Sequence, residues 1–115
     1  MPIVRLQEYL ETGGNSPYGR WFDKLNAQAA AKVATALYRL GEENVSNVKG
    51  VGSGVFEYRI DFGPGYRIYF GKDGEALVIL LGGSAKQRQQ QAIDAAITAW
   101  KDYKQRKKSV EAKRR

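Results

Sequence analysis

The 115-residue sequence contains neither cysteine nor histidine. The lack of cysteine excludes disulfides and thiolate zinc sites, and it suits a reducing compartment. The lack of histidine removes the commonest metal ligand and the side chain most often used for proton transfer near neutral pH. We therefore expect no metal and no cofactor. Any catalysis must come from carboxylates, tyrosines, lysines and arginines.

Long apolar segments are missing as well. No stretch of the sequence approaches the roughly 20 apolar residues that a membrane-spanning helix needs. The N-terminal sequence MPIVRLQEYL lacks the long apolar core and the small-residue cleavage site of a signal peptide. We expect a soluble, cytoplasmic protein with no membrane partner, and its length fits one domain.

Positive charge is concentrated near the C-terminus. The formal net charge is +7, and residues 101–115 hold eight Lys or Arg against two acids, a net charge of +6. Such a segment is typical of proteins that bind an anionic partner such as nucleic acid, but a solvated helix end has the same composition. Beyond Tyr103 there is no apolar face to bury. We therefore predict one domain over 1–103 and a basic tail over 104–115 that frays or is disordered.

The N-terminal half predicts a short strand and a helical hairpin. The strand falls within residues 3–10. Ser16, followed by Pro17, is typical of a helix start, and Asn26 can cap a second helix that ends at Gly41. Residues 42–54, rich in Gly, Ser and Asn, are predicted to form a loop.

The C-terminal half predicts three strands and a final helix. The strands are expected at 55–62, 66–71 and 76–81, with short links that indicate hairpins. A capping box of Ser84 and Gln87 is predicted to begin the helix, whose apolar stripe includes Trp100. The resulting order, β-α-α-β-β-β-α, predicts an α+β fold with a small, mainly antiparallel sheet and the helices on one face.

The stretch VFEYRIDFGPGYRIYF, residues 55–70, predicts a hairpin with two different faces. Alternation places its aromatic and aliphatic side chains on a core face. A three-residue loop at 63–65 would pair Asp61 with Arg67 and Arg59 with Tyr69 on the opposite, exposed face. That polar face, with Glu57 at its far end, fits an ordinary solvated surface. It also fits an anion site with arginines for phosphates and a tyrosine for a base.

Two cations lie at the predicted start of the last helix. Lys86 and Arg88 fall in its first turn, where positive charge opposes the helix dipole. Free amides, the positive end of the dipole and two cations would together suit a phosphate group. Surface cations also tolerate this small unfavourable effect, so both interpretations remain open.

The sequence resembles the HigB-like, phage-related addiction-module killer proteins of the RelE/ParE toxin superfamily. The residues that carry the resemblance are VGSGVFEYRIDFGPGYRIYF, LVILLGGSAKQRQQQAIDAAITAW, WFDKL and YRLG. It covers residues 1–103 and implies a RelE-like fold, a small sheet with an N-terminal helical hairpin on one face. The sequence departs from the family pattern at Ala85, where relatives often carry an acid, and this change implies altered or weaker activity.

The resemblance implies the toxin of a type II toxin–antitoxin system, a ribosome-dependent mRNA endonuclease. Its implied partners are a helix-turn-helix antitoxin, mRNA and the ribosome, with operator DNA bound only through the antitoxin complex. The alternatives are a ParE-like DNA gyrase inhibitor and a non-catalytic nucleic-acid-binding or autoregulatory partner. The implied catalytic residues are Arg59, Arg67, Tyr69 and Lys86. The nucleic-acid-binding residues would be Glu57, Gln87, Arg88, Lys104, Arg106, Lys107 and Lys108.

The implied chemistry is attack of an RNA 2′-hydroxyl on the adjacent phosphate. Arg59 and Arg67 would stabilise the negative charge that develops on the phosphorane. The acid and base must come from Glu57, Tyr69 or Lys86, which form a weak set without histidine. Slow cleavage is expected unless the ribosome positions the strand, because orientation alone can supply roughly 7–11 kcal/mol.

Overall fold

The computed structural model of the protein describes residues 4–42 and 44–113. Four predicted segments therefore include residues outside this range: Met1 to Ile3 in the domain and first strand, Glu43 in the loop, and Arg114 and Arg115 in the tail. In the part described, no helix is both long and apolar enough to cross a membrane. The elements are β1 (Arg5–Glu8), α1 (Pro17–Asp23), α2 (Ala27–Gly41), β2 (Val48–Gly52), β3 (Val55–Ile60), β4 (Tyr66–Lys72), β5 (Leu77–Ala85) and α3 (Gln89–Lys113), with a 3-10 turn (Lys86–Arg88) before α3.

The five strands form one mixed sheet in the order β1-β5-β4-β3-β2. β1 runs parallel to β5, and the other neighbours are antiparallel. The α+β class is confirmed, but the element order is not, because β2 forms within the predicted loop. This strand is rich in glycine, and its pairing with β3 shifts register between Gly50 and Gly52, so its alternation is hidden in the sequence.

The N-terminal caps follow the predictions. The Ser16 hydroxyl accepts a hydrogen bond from the Gly19 amide, and the Asn26 side chain accepts one from Ala29, both at 2.9 Å. These contacts satisfy amides that a helix start leaves free. The predicted capping box at Ser84 is wrong, because β5 continues through Ala85 and keeps Ser84 in the sheet.

The helices cover both faces of the sheet. α1 and α2 pack on the face that carries Tyr58, Ile60, Ile68 and Phe70, as predicted for the helical hairpin. α3 covers the opposite face, where its Trp100 packs with Tyr69, Val55 and Ile79. The expectation of helices on one face is therefore wrong. The predicted apolar stripe of α3 exists, but it is buried against the face that was expected to be exposed.

The hairpin of β3 and β4 has a different register from the predicted one. Ile60 pairs with Tyr66, so the connecting loop is five residues long, 61–65, rather than three. Arg59 consequently lies opposite Arg67, and Glu57 lies opposite Tyr69. Both loop lengths are odd and give the same two faces, so alternation alone does not distinguish them.

The second half of α3 is fastened to the domain at two places. Tyr9 donates a hydrogen bond of 2.6 Å to Asp102, which also forms an ion pair with Arg106. At the β4–β5 turn, Asp73 accepts hydrogen bonds from Tyr103, at 2.6 Å, and from Lys107, at 2.5 Å. Residues 104–113 continue α3 in the structure, and these contacts hold its turns up to Lys107. That the tail frays or is disordered stays a prediction.

Candidate functional site

An open cleft of about 500 Å³ lies at the loop end of the β3–β4 hairpin. Three cations line it, Arg59, Arg67 and Lys86, together with Asp61 and residues 62–65 of the loop. The Gly65 carbonyl joins two of these elements, because it accepts a hydrogen bond from the Lys86 amide at 2.8 Å and one from Arg67 Nη1 at 3.3 Å. This carbonyl therefore holds Arg67 of β4 close to the 3-10 turn that begins with Lys86.

Arg67 is held from below by a buried carboxylate. Glu57 is completely buried and Arg67 is only 7% exposed, with 3.7 Å between Arg67 Nε and Glu57 Oε2. Gln89, at the first position of α3, donates a 2.8 Å hydrogen bond to the same Glu57 oxygen. Lys49 Nζ approaches the other oxygen, Oε1, at 3.9 Å. Within the described residues Glu57 Oε1 and Arg67 Nε have no hydrogen-bond partner. The pair therefore keeps one free acceptor and one free donor.

Arg59 differs from Arg67 in its surroundings. It is exposed, and among residues 4–42 and 44–113 no carboxylate forms an ion pair with it. Like charges directly opposite each other on a sheet repel. An anion bound between Arg59 and Arg67 would relieve this repulsion, so the geometry favours a negatively charged ligand in the cleft.

Tyr69 is fully buried rather than surface-facing. Its hydroxyl lies 3.1 Å from Ser84 Oγ, and the α3 core covers its ring. Burial raises the pKa of Tyr69 to about 12, with the nearby Glu57 charge contributing, so the hydroxyl keeps its proton at neutral pH. Tyr69 is thus placed to support the floor of the site, and it cannot act as the base or as a ring for stacking in this arrangement.

The predicted site residues separate into three groups. Arg59, Arg67 and Lys86 come together at the cleft, with Glu57 and Tyr69 buried beneath. Gln87 and Arg88 are exposed in the 3-10 turn and do not line the cleft within the described part of the chain. The third group, on the second half of α3, contains Lys104, Arg106, Lys107 and Lys108.

Two supporting residues were not found from the sequence. Gln89 contacts Glu57 across 32 positions, and no spacing pattern indicates such a contact. Ser84 reaches Tyr69 because the β4–β5 pairing shifts register between Tyr69 and Phe70. A bulge of this kind moves the following side chains to the other face, which alternation does not anticipate.

The described residues contain no group of three or more carboxylates placed to hold a metal ion. No family model matches the sequence. An uncharacterized protein of Haemophilus influenzae (strain ATCC 51907 / DSM 11121 / KW20 / Rd) is 41% identical to it over 80 residues. The match covers 69% of this chain and 81% of the Haemophilus protein. The chain therefore belongs to the same family as this uncharacterized protein.

Proposed function

We propose that the protein is the toxin of a type II toxin–antitoxin system and acts as a metal-independent endoribonuclease on ribosome-bound mRNA. The observation that carries this proposal is the convergence of Arg59, Arg67 and Lys86 on one open cleft. Guanidinium groups match the geometry of a phosphate, and an RNA backbone supplies phosphates in a row. The helical hairpin on one sheet face supports a RelE-like fold, as the sequence resemblance implies.

The cleavage step would use the RNA itself as nucleophile. The 2′-oxygen forms a bond to the adjacent phosphorus, its proton passes to a base, and the bond from phosphorus to the 5′-oxygen breaks as that oxygen gains a proton. The products are a 2′,3′-cyclic phosphate and a 5′-hydroxyl. Arg59 and Arg67 would stabilise the negative charge of the phosphorane. This stabilisation is the largest electrostatic contribution to catalysis that such a site offers.

Proton transfer falls to the groups at the surface of the cleft. Asp61 and Lys86 are the titratable residues other than arginine that line it. Tyr69 is removed from this role by its burial and its raised pKa. Since Asp61 and Lys86 are not a strong acid–base pair, much of the rate would come from positioning of the strand by the ribosome.

The test is controlled expression of the protein with and without the neighbouring gene, followed by mapping of mRNA ends. We expect growth arrest and new 5′-hydroxyl ends from the wild type, and rescue by a small helix-turn-helix antitoxin encoded beside it. Arg59→Gln should abolish both effects, whereas Arg39→Gln, an exposed arginine on α2, should retain them. Growth arrest with intact mRNA and a loss of DNA supercoiling would contradict the proposal and indicate a gyrase inhibitor.

Non-catalytic binding of nucleic acid is a second candidate, and the burial of Tyr69 favours it. A phosphate-binding cleft without an efficient acid–base pair would still hold RNA. In this case the purified protein would bind RNA with a steep dependence on salt and leave it uncut, both alone and on translating ribosomes.

A further inference from the structure

The outer face of α3 carries a row of lysines that is separate from the cations fastening the helix. Lys101, Lys104 and Lys108 are three and four residues apart, a spacing that puts them on one face of a helix. We call them the lysine stripe. Arg106 instead pairs with Asp102 of the same helix, and Lys107 pairs with Asp73 of the β4–β5 turn. The basic segment thus contains cations for anchoring and cations available to a ligand.

The lysine stripe borders one hollow whose described lining holds no acidic residue. On another side, Lys104 and Lys108 border a second hollow that Asp73 and Glu111 also line. The first hollow is shallow, with a volume of about 620 Å³, and is lined by the three lysines and by Gln105, Ser109 and Ala112. All six residues are exposed, and none of the lysines forms an ion pair with a residue that the structure describes. The short side chains of Ser109 and Ala112, beyond Lys108, leave room for a polyanion at that end of the hollow.

We propose that the lysine stripe binds the phosphate backbone of double-helical RNA, at a site separate from the cleft. This rests on the proposed function in that RNA is the partner. Single-stranded nucleic acid is usually bound through exposed aromatic rings on which bases stack. Here the nearby Trp100 is buried, and its ring is stacked with that of Tyr103 at 5.3 Å. Cations without free rings suit a duplex, whose bases are already paired and whose phosphates face outward.

The distance between the cleft and the lysine stripe supports two separate RNA-binding surfaces. α3 begins three residues after Lys86, beside the cleft. At about 1.5 Å per residue, Lys101 lies roughly 18 Å along the helix from Gln89, and Lys108 lies roughly 28 Å from it. One nucleotide in the cleft cannot also contact the stripe. The two surfaces would therefore engage different parts of a large structured RNA, a single strand at the cleft and a duplex at the stripe.

The probe for this inference is a fully paired RNA hairpin whose loop riboses are 2′-O-methylated, so that the unpaired nucleotides cannot be cut through a 2′-hydroxyl. Binding is measured by fluorescence anisotropy over a series of salt concentrations. The variant combines Lys101→Gln, Lys104→Gln and Lys108→Gln. We expect its affinity to fall by about tenfold or more at low salt, and the slope of log affinity against log salt to decrease by roughly 2–3.

The matched control removes the same charge from other surfaces, through Arg5→Gln, Lys24→Gln and Arg39→Gln. These residues are exposed, and none of them forms an ion pair within 4–42 and 44–113. The control should bind the hairpin with nearly wild-type affinity and slope. Equal losses in both triple variants would overturn the inference, because net charge alone would then explain binding. Equal binding of a DNA duplex of the same sequence would also overturn it.

The experiment separates this inference from the proposed function. Arg59→Gln should lose mRNA cleavage and keep hairpin binding. If the wild type binds the hairpin through the lysine stripe but cuts no mRNA, the endonuclease proposal is refuted and the stripe proposal stands. If the wild type cuts mRNA but the stripe variant binds the hairpin as well as the wild type does, the stripe proposal is refuted and the endonuclease proposal stands. Because Lys104 lies over the Trp100 ring at 5.7 Å, a second variant with only Lys101→Gln and Lys108→Gln excludes a folding defect. This double variant should show about two thirds of the change in slope that the triple variant shows.

Discussion

Arg59 and Arg67 lie directly opposite each other in the β3–β4 pair, and only Arg67 has a buried carboxylate at its side. This asymmetry gives the two arginines different roles. Arg67 is held by Glu57 and the Gly65 carbonyl, whereas Arg59 is exposed. A bound phosphate would complete the arrangement by lying between the two guanidinium groups.

Arg59→Gln is the cleanest substitution at the cleft. It should abolish phosphate-dependent RNA binding at the cleft while the free energy of unfolding stays the same or rises by no more than about 1 kcal/mol, because a cross-strand repulsion is removed. Binding of a short single-stranded RNA and urea unfolding measure the two effects. A clear loss of stability would show that Arg59 has a structural role instead.

Glu57 and Arg67 should behave as a coupled pair. Glu57→Gln or Arg67→Gln leaves one buried charge without its partner, so each single change should lower the free energy of unfolding by about 3–5 kcal/mol. The double variant should lose less than the sum of the two, with a coupling energy of roughly 0.5–3 kcal/mol. Urea unfolding of the four proteins completes the cycle. Additive losses would mean that the 3.7 Å approach contributes nothing. Loss of toxicity on changing Arg67 alone is therefore ambiguous, because the fold is weakened as well.

The packing of α3 on the sheet can be tested at two glycines. A Cβ atom at Gly71 would lie 2.5 Å from the Trp100 ring, whereas a Cβ atom at Gly82 would meet nothing within 4 Å. Gly71→Ala should therefore destabilise the protein by roughly 1–3 kcal/mol. Gly82→Ala, in the neighbouring strand, should be neutral or slightly stabilising. Equal thermal stability of the two variants would be incompatible with Trp100 lying over β4.

Alternation in the sequence predicted the composition of both faces of the β3–β4 hairpin correctly, but not what covers them. Tyr58, Ile60, Ile68 and Phe70 lie in the core under the helical hairpin, as predicted. The other face was correctly expected to carry Glu57, Arg67 and Tyr69, but it was expected to be exposed, whereas these three side chains are buried. Only the packing of Trp100 shows that α3 crosses this face, and a helix stripe does not specify which sheet face it will cover.

The cleft was predictable in part. The three cations were identified from their types and from the resemblance, and they do converge. Their register was not predictable, because three- and five-residue loops preserve the same alternation. The same limitation applies to Gln89, whose contact with Glu57 depends on where α3 begins, after a 3-10 turn that replaces the predicted capping box.

Tyr69 should make the protein sensitive to alkaline conditions. Burial raises its pKa to about 12 from an ordinary value of 10.0, so the folded state holds this proton more tightly than the unfolded chain does. The stabilisation that protonated Tyr69 gives the folded state is complete below pH 10, and it is lost as the pH rises toward 12. Tyr69→Phe should therefore show a shallower loss of the free energy of unfolding over this range. Tyr38→Phe, at a 68% exposed position, is the control and should follow the wild type.

Asp73 should control the order of the last turns of α3. Its hydrogen bonds from Lys107 and then Tyr103 lower its pKa, so this stabilisation is present above its ordinary value of 3.8 and is lost as the pH falls further. Asp73→Asn removes the charge and should speed amide hydrogen exchange severalfold in residues 104–113 at neutral pH. Exchange in β4 should not change. Glu75→Gln, in the same turn and exposed, serves as the control. Unchanged exchange in the Asp73 variant would mean that these turns are stable without the contact, and that the lysine stripe does not depend on it.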